Sequence, residues 1–168
     1  ILQSNGKLSD ALKYFDRAIV INPNFAEALY NKANALRDLG ELNKAIVNYQ
    51  EALTIRPNYV EAVTNLGEVL SQTGDLDEAI KAYGKALELD PNLAICHFNL
   101  GNVWLEKNQL LQASDSFKRA YDNDTTLTDA LYNLGVVHQK MGLLNEAIKI
   151  FKDVLRASPK STGAYMNM

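Results

Sequence analysis

A chain of 168 residues with 47% hydrophobic content holds ample apolar side chains for an ordered core. Its formal charge of −3, without any run of basic residues, gives no broad electrostatic reason to bind nucleic acid. The single cysteine, Cys96, excludes an intrachain disulfide framework and fits a reducing, intracellular setting, cytoplasmic or nuclear. No apolar stretch approaches the roughly 20 residues that a membrane span needs.

In chain order the predicted elements repeat. Residues 1–25 read as a partial repeat, mainly a second helix, with Ile1 and Leu2 in the last turn of a preceding helix and Gly6 in the turn. Full repeats follow at 26–59, 60–93, 94–127 and 128–161, and residues 162–168 begin another. Pro23, Pro57, Pro91 and Pro159 mark a period of 34, with Thr125 in the skipped place. Gly6, Gly40, Gly74 and Gly142 keep the same period, and Asn108 fills their gap. So do Ala11, Ala45, Ala79, Ala113 and Ala147, and the aromatic column Phe15, Tyr49, Tyr83, Phe117 and Phe151.

Each full repeat reads as two helices. In the first repeat, Leu29, Ala33 and Leu36 recur at helical spacing, and Gly40 supplies a residue able to adopt positive φ at the helix end. A second helix over about 42–55 follows, with Ala45, Ile46, Tyr49, Ala52 and Leu53 as its apolar face. Arg56-Pro57-Asn58 closes the unit, because proline disfavours helix at the residue before it. The column Ala33, Gly67, Gly101 and Gly135 lies inside the first helices, where glycine costs about 1 kcal/mol relative to alanine. A close approach by a neighbouring helix explains that cost.

This pattern resembles the tetratricopeptide repeat, in length, in its helix–turn–helix form and in its Leu-Gly, Tyr, Ala, Phe and Pro positions. Residues 62–92, AVTNLGEVLSQTGDLDEAIKAYGKALELDPN, carry the likeness most fully. The repeat at 94–127 departs most, with Thr125, Asn108 and Ser114 breaking three columns. Lys32 also departs, standing where Leu66, Leu100 and Leu134 occupy the matching place. The resemblance implies an all-α solenoid of stacked helical hairpins, wound as a right-handed superhelix. It implies that the first helices line a concave surface for extended or helical peptides. The array starts and stops within repeats, so it reads as a fragment of a longer protein. Polar capping units are absent from its ends. Tyr165, Met166 and Met168 at one end, and Leu2, Leu8 and Leu12 at the other, are expected to fray or to associate end to end.

The candidate site is a face rather than a motif. Asn31, Asn65, Asn99, Asn133 and Asn167 recur every 34 residues. With Asn31 taken as zero, Leu29, Ala33 and Leu36 fall at about 160°, 200° and 140° on the helical wheel, so the asparagines oppose the packed stripe. Asn34 and Asn102, together with Glu61 and Glu68, share their face. Tyr30, Phe98 and Tyr132 flank it. A carboxamide both donates and accepts, so such a column suits a peptide main chain. A comparable column lines the repeat superhelix of O-linked N-acetylglucosamine transferases, to which this array is similar. The same column could instead brace neighbouring helices, and the aromatics could be partly buried against adjacent units. The sequence leaves both alternatives open. Acidic residues, among them Glu27 and Asp129, outnumber Arg37 and Lys140 on this face, which points to a mild preference for basic or polar ligands.

Chaperone-tail-binding members of the family clamp a terminal carboxylate with Lys and Arg. The matching places here hold Tyr30, Asn34, Asn65, Ile95 and Asn99, or one repeat on Thr64, Glu68, Asn99, Asp129 and Asn133, so only the asparagines persist. That function is disfavoured. His97 and His138 fall in core columns, and Cys96 aligns with Ala28, Ala62 and Ala130. No phosphate loop, zinc spacing or Ser/His/Asp signature appears, so neither catalysis nor a metal or cofactor is expected. The functional expectation is a scaffold that binds a protein or peptide in the concave groove. The runner-up is the substrate-recognition array of a larger enzyme, such as a glycosyltransferase.

Overall fold

The computed structural model describes residues 2–167, and every regular element among them is helical. The chain divides into two compact units, residues 1–89 and 90–168. The first unit contains α1 (Leu2–Ile21), α2 (Ala26–Asp38), α3 (Leu42–Ile55), α4 (Val60–Thr73) and α5 (Leu76–Leu89). The second contains α6 (Ala94–Glu106), α7 (Leu110–Asn123), α8 (Thr128–Lys140), α9 (Leu144–Ala157) and the short α10 (Thr162–Met166). Within each unit, helices consecutive in the chain pack on one another as a run of hairpins.

The turns are built alike. Gly40, Gly74 and Gly142 take φ of 81°, 86° and 78°, and Asn108 takes 57° in the same left-handed region. The next amide in each case reaches back five residues: Glu41 to Leu36, Asp75 to Leu70, Gln109 to Trp104 and Leu143 to His138, all at 2.8–2.9 Å. These bonds satisfy carbonyls that the helix end leaves over. Asparagine tolerates this conformation better than most side chains, so the repeat at 94–127 keeps its turn without glycine.

The close-approach reading of the small column holds, and the structure names the partner. A Cβ placed on Gly67 would lie 2.8 Å from the Tyr83 ring, on Gly101 2.7 Å from Phe117, and on Gly135 2.6 Å from Phe151. Each ring belongs to the second helix of the same hairpin and is at most 1% exposed. The small residue is therefore the socket for the aromatic knob, and the two columns are one device. Ala45, Ala79, Ala113 and Ala147 beside them are likewise buried.

One expectation is corrected. Gly6 was expected to mark a turn, whereas α1 runs unbroken from Leu2 to Ile21. The ladder propagates through the glycine, which a helix interior tolerates at a cost of about 1 kcal/mol relative to alanine. Ile1 and Met168, and the side chain of Leu2, lie outside the described residues. Leu8 and Leu12 are half-buried, while Tyr165 and Met166 are 60% and 77% exposed.

Candidate functional site

The amide column is tied together by hydrogen bonds between successive first helices. In the first unit, Asn65 Nδ2 donates to Asn34 Oδ1 at 3.0 Å and to Tyr30 Oη at 3.2 Å. Asn34 Oδ1 also accepts from the Tyr49 hydroxyl at 2.6 Å. In the second unit, Asn133 Nδ2 donates to Asn102 Oδ1 at 3.1 Å, and Asn167 Nδ2 donates to Tyr132 Oη at 3.0 Å.

The geometry behind these bonds is simple. An asparagine reaches the preceding first helix at positions 31 and 35 residues earlier, one helical turn apart. Asn65 finds Asn34 and Tyr30 there, and uses both. Asn133 finds Asn102 and Phe98, and a phenyl ring offers no acceptor comparable to a hydroxyl. Asn167 finds Val136 and Tyr132, so only the phenol serves. Asn31 is exposed, and its carboxamide makes no hydrogen bond with another described residue. Asn99, half-buried, makes none within its own unit.

The aromatics rest on the buried ring column. Tyr30 lies 6.1 Å from Tyr49 between ring centroids, Phe98 5.9 Å from Phe117, and Tyr132 5.8 Å from Phe151. All three are half-buried, so each presents only part of its ring. Tyr30 also lies 4.9 Å from Tyr59, over which the Arg56 guanidinium sits at 4.7 Å while pairing with Glu27. That hydrogen bond from Arg56 holds the Glu27 carboxyl below the usual carboxylate range.

Charges on this face are partly neutralised in place. Arg37 pairs with Asp38 at 3.1 Å and with Glu68 at 3.4 Å. Burial works against its charge, but Tyr49 and these two carboxylates together raise its pKa. Burial pushes the Tyr49 phenol up to about 12. Glu61 stays exposed in the first turn of α4 and forms no ion pair among the described residues. Sequence reasoning missed Tyr49 as part of this network. Its signal was available, because a hydroxyl in a column that elsewhere accepts Phe needs a partner when buried.

The histidines do structural work. His97 is buried, with Nε2 2.9 Å from the Pro91 carbonyl oxygen. His138 Nε2 lies 3.2 Å from Ser114 Oγ, so the serine that breaks an apolar column meets a polar neighbour. The Cys96 thiol is buried, and burial pushes it up to about 12, far from a reactive thiolate.

Comparisons with known proteins agree with this architecture. A family model described as TPR repeat matches residues 33–74 and 69–107. Two described as tetratricopeptide repeat match residues 14–47 and 128–161. No curated protein matches the chain. Among solved structures, MamA is similar at 23% identity and a TM-score of 0.89, over 94% of this chain and 92% of that one. A structure described as "YrrB: a TPR protein with an unusual peptide-binding site" is similar at 23% identity and a TM-score of 0.84, over 98% and 85%. A thermophilic TPR protein of Thermus thermophilus, TTC0263, is similar at 26% identity and a TM-score of 0.69, over 98% and 90%.

Proposed function

Because the chain belongs to the tetratricopeptide repeat family, we propose that it is a protein-interaction scaffold that receives an extended peptide on the first-helix face of a unit, α2 and α4 in the first or α6 and α8 in the second. The observation that carries this reading is the braced amide column, which repeats in both units and opposes the packed stripe. Bracing fixes the rotamers of Asn65 and Asn133 before any ligand arrives, which lowers the entropy cost of binding. Asn31 and Asn99 keep their carboxamides for a main chain. Tyr30, Phe98 and Tyr132 supply partly exposed ring surface beside them, and Glu61 and Glu68 favour basic or polar side chains. The peptide-binding site in the description of YrrB supports the ligand class by analogy. The enzyme-linked reading, with its likeness to O-linked N-acetylglucosamine transferases, would use the same face for substrate segments and rests on the same column.

Peptides selected on the whole chain from a random display library test the proposal. Backbone amide shifts mapped by NMR are expected to cluster on the first helices at Asn31, Asn34, Asn65, Asn99, Asn102 and Asn133. Clustering on the second helices instead would overturn it.

A further inference from the structure

The first unit holds one of its own arginines against its first-helix face. Arg56, in the turn before α4, pairs with Glu27 of α2 and lies 4.7 Å from the Tyr59 ring centroid. Tyr59 in turn lies 4.9 Å from Tyr30. Burial raises the pKa of the Tyr59 phenol; Tyr30, Glu61 and Glu27 add to the rise, and Arg56 opposes it. These five side chains therefore meet at one spot, a cation over an aromatic ring with two carboxylates beside it.

Two repeats on, the same five positions in the second unit hold Ile95, Phe98, Asp124, Leu127 and Asp129. The match is structural as well as numerical. Asn133 reaches Asn102 as Asn65 reaches Asn34, so α6 and α8 stand to each other as α2 and α4 do. The rings give way to an apolar floor: Phe98 and Leu127 are half-buried, and Ile95, in the place of Glu27, is 51% exposed. The arginine gives way to a carboxylate. Asp124 and Asp129 are both exposed, and neither forms an ion pair among the described residues. The turn bonds that Asp124 accepts both fall on Oδ1. Two like charges thus flank exposed apolar surface, without the cation that the first unit supplies for itself.

We propose that this face of the second unit binds an arginine side chain of a partner peptide, in the place that Arg56 takes in the first unit. The inference rests on the scaffold reading above and names the side chain that this face selects. The guanidinium pairs with Asp124 and Asp129, while its methylene stem crosses Ile95 and Phe98. Arginine fits better than lysine, because its planar fork can meet two carboxylates and lie on a ring at once. In the first unit Arg56 already holds that place, so the selectivity belongs to the second unit alone.

The probes are the acetylated, amidated peptide Gly-Ser-Arg-Ser-Gly and its citrulline counterpart, which keeps the shape and loses the charge. Each is titrated into the whole chain at low salt and followed by NMR. The arginine peptide is expected to perturb Ile95, Phe98, Asp124 and Asp129, and the citrulline peptide to bind about three- to tenfold more weakly. Asp124→Asn with Asp129→Asn should bind both alike. That variant is expected to fold, because Asn22 makes the same turn bond with a carboxamide. Arg56→Ala should open the matching place in the first unit and add a second set of shifts, at Glu27 and Tyr59. Equal affinities on the unaltered chain, with shifts still on α6 and α8, would overturn this inference and leave the scaffold reading standing. Shifts confined to the second helices would overturn both. Lack of saturable binding by the arginine peptide would also overturn the inference, so the unaltered chain decides the matter whether or not the variants fold.

Discussion

The Tyr49 hydroxyl is buried and donates to Asn34, so ionising it in the folded chain forfeits a hydrogen bond and strands a charge. Its folded pKa, about 12, lies above the ordinary value of 10. The folded state therefore holds its proton longer than the unfolded state does. Its contribution is fully present below pH 10 and is lost as pH rises from 10 towards 12. The loss is roughly 2–3 kcal/mol by linkage, and denaturant unfolding at several pH values should show it. Tyr49→Phe should flatten that part of the profile. The glycines make a second test at this scale. Gly135→Ala drives a methyl group to 2.6 Å from the buried Phe151 ring, and is expected to destabilise by about 1–2 kcal/mol after the propensity gain. Gly84→Ala meets nothing within 4 Å and should stabilise by up to about 1 kcal/mol. The small column was legible as a sign of close packing. Its aromatic partner was not, because residue spacing alone does not say which ring crosses the socket.

At the scale of elements, the repeat at 94–127 is less damaged than its sequence suggests. Asn108 makes the left-handed turn, Ser114 meets His138, and without proline the Asp124 carboxylate still makes the turn bond that Asn22 and Asp90 make beside Pro23 and Pro91. It accepts from the Thr126 amide at 2.9 Å and hydroxyl at 2.6 Å, and these bonds, the hydroxyl's first, hold Asp124 below its usual pKa. The residual cost is the left-handed asparagine. Residues 108–127 are still expected to open most readily among the internal segments, and Asn108→Gly should add up to about 1 kcal/mol while slowing hydrogen exchange across α7. Unchanged exchange in that variant would count against this account. The helices and their boundaries were legible because glycine, proline and the apolar stripe agree at every repeat. Gly6 is the exception: a helix carries an interior glycine at a cost of about 1 kcal/mol, so the residue alone does not place a turn.

Across the whole molecule, the repeat period and the opposition of amide column and packed stripe could both be read from residue numbers. Whether the amides brace or bind could not, because that depends on distances of about 3 Å between side chains 31 and 35 residues apart. The exposed Tyr165 and Met166 carry the expectation of end-to-end association, which sedimentation velocity should reveal as a mass that rises with protein concentration. The division of labour within the amide column is the central claim, and two double variants test it. Asn65→Ala with Asn133→Ala removes three inter-helix hydrogen bonds, each worth about 0.5–1.5 kcal/mol net, against a small propensity gain. Asn31→Ala with Asn99→Ala removes none of them. The account predicts that the first pair lowers the melting temperature, and that the second leaves it unchanged or higher but weakens a peptide selected on either unit's face by about three- to tenfold. If the second pair instead binds that peptide with full affinity, the asparagines are struts only, and the face they line is not the binding surface.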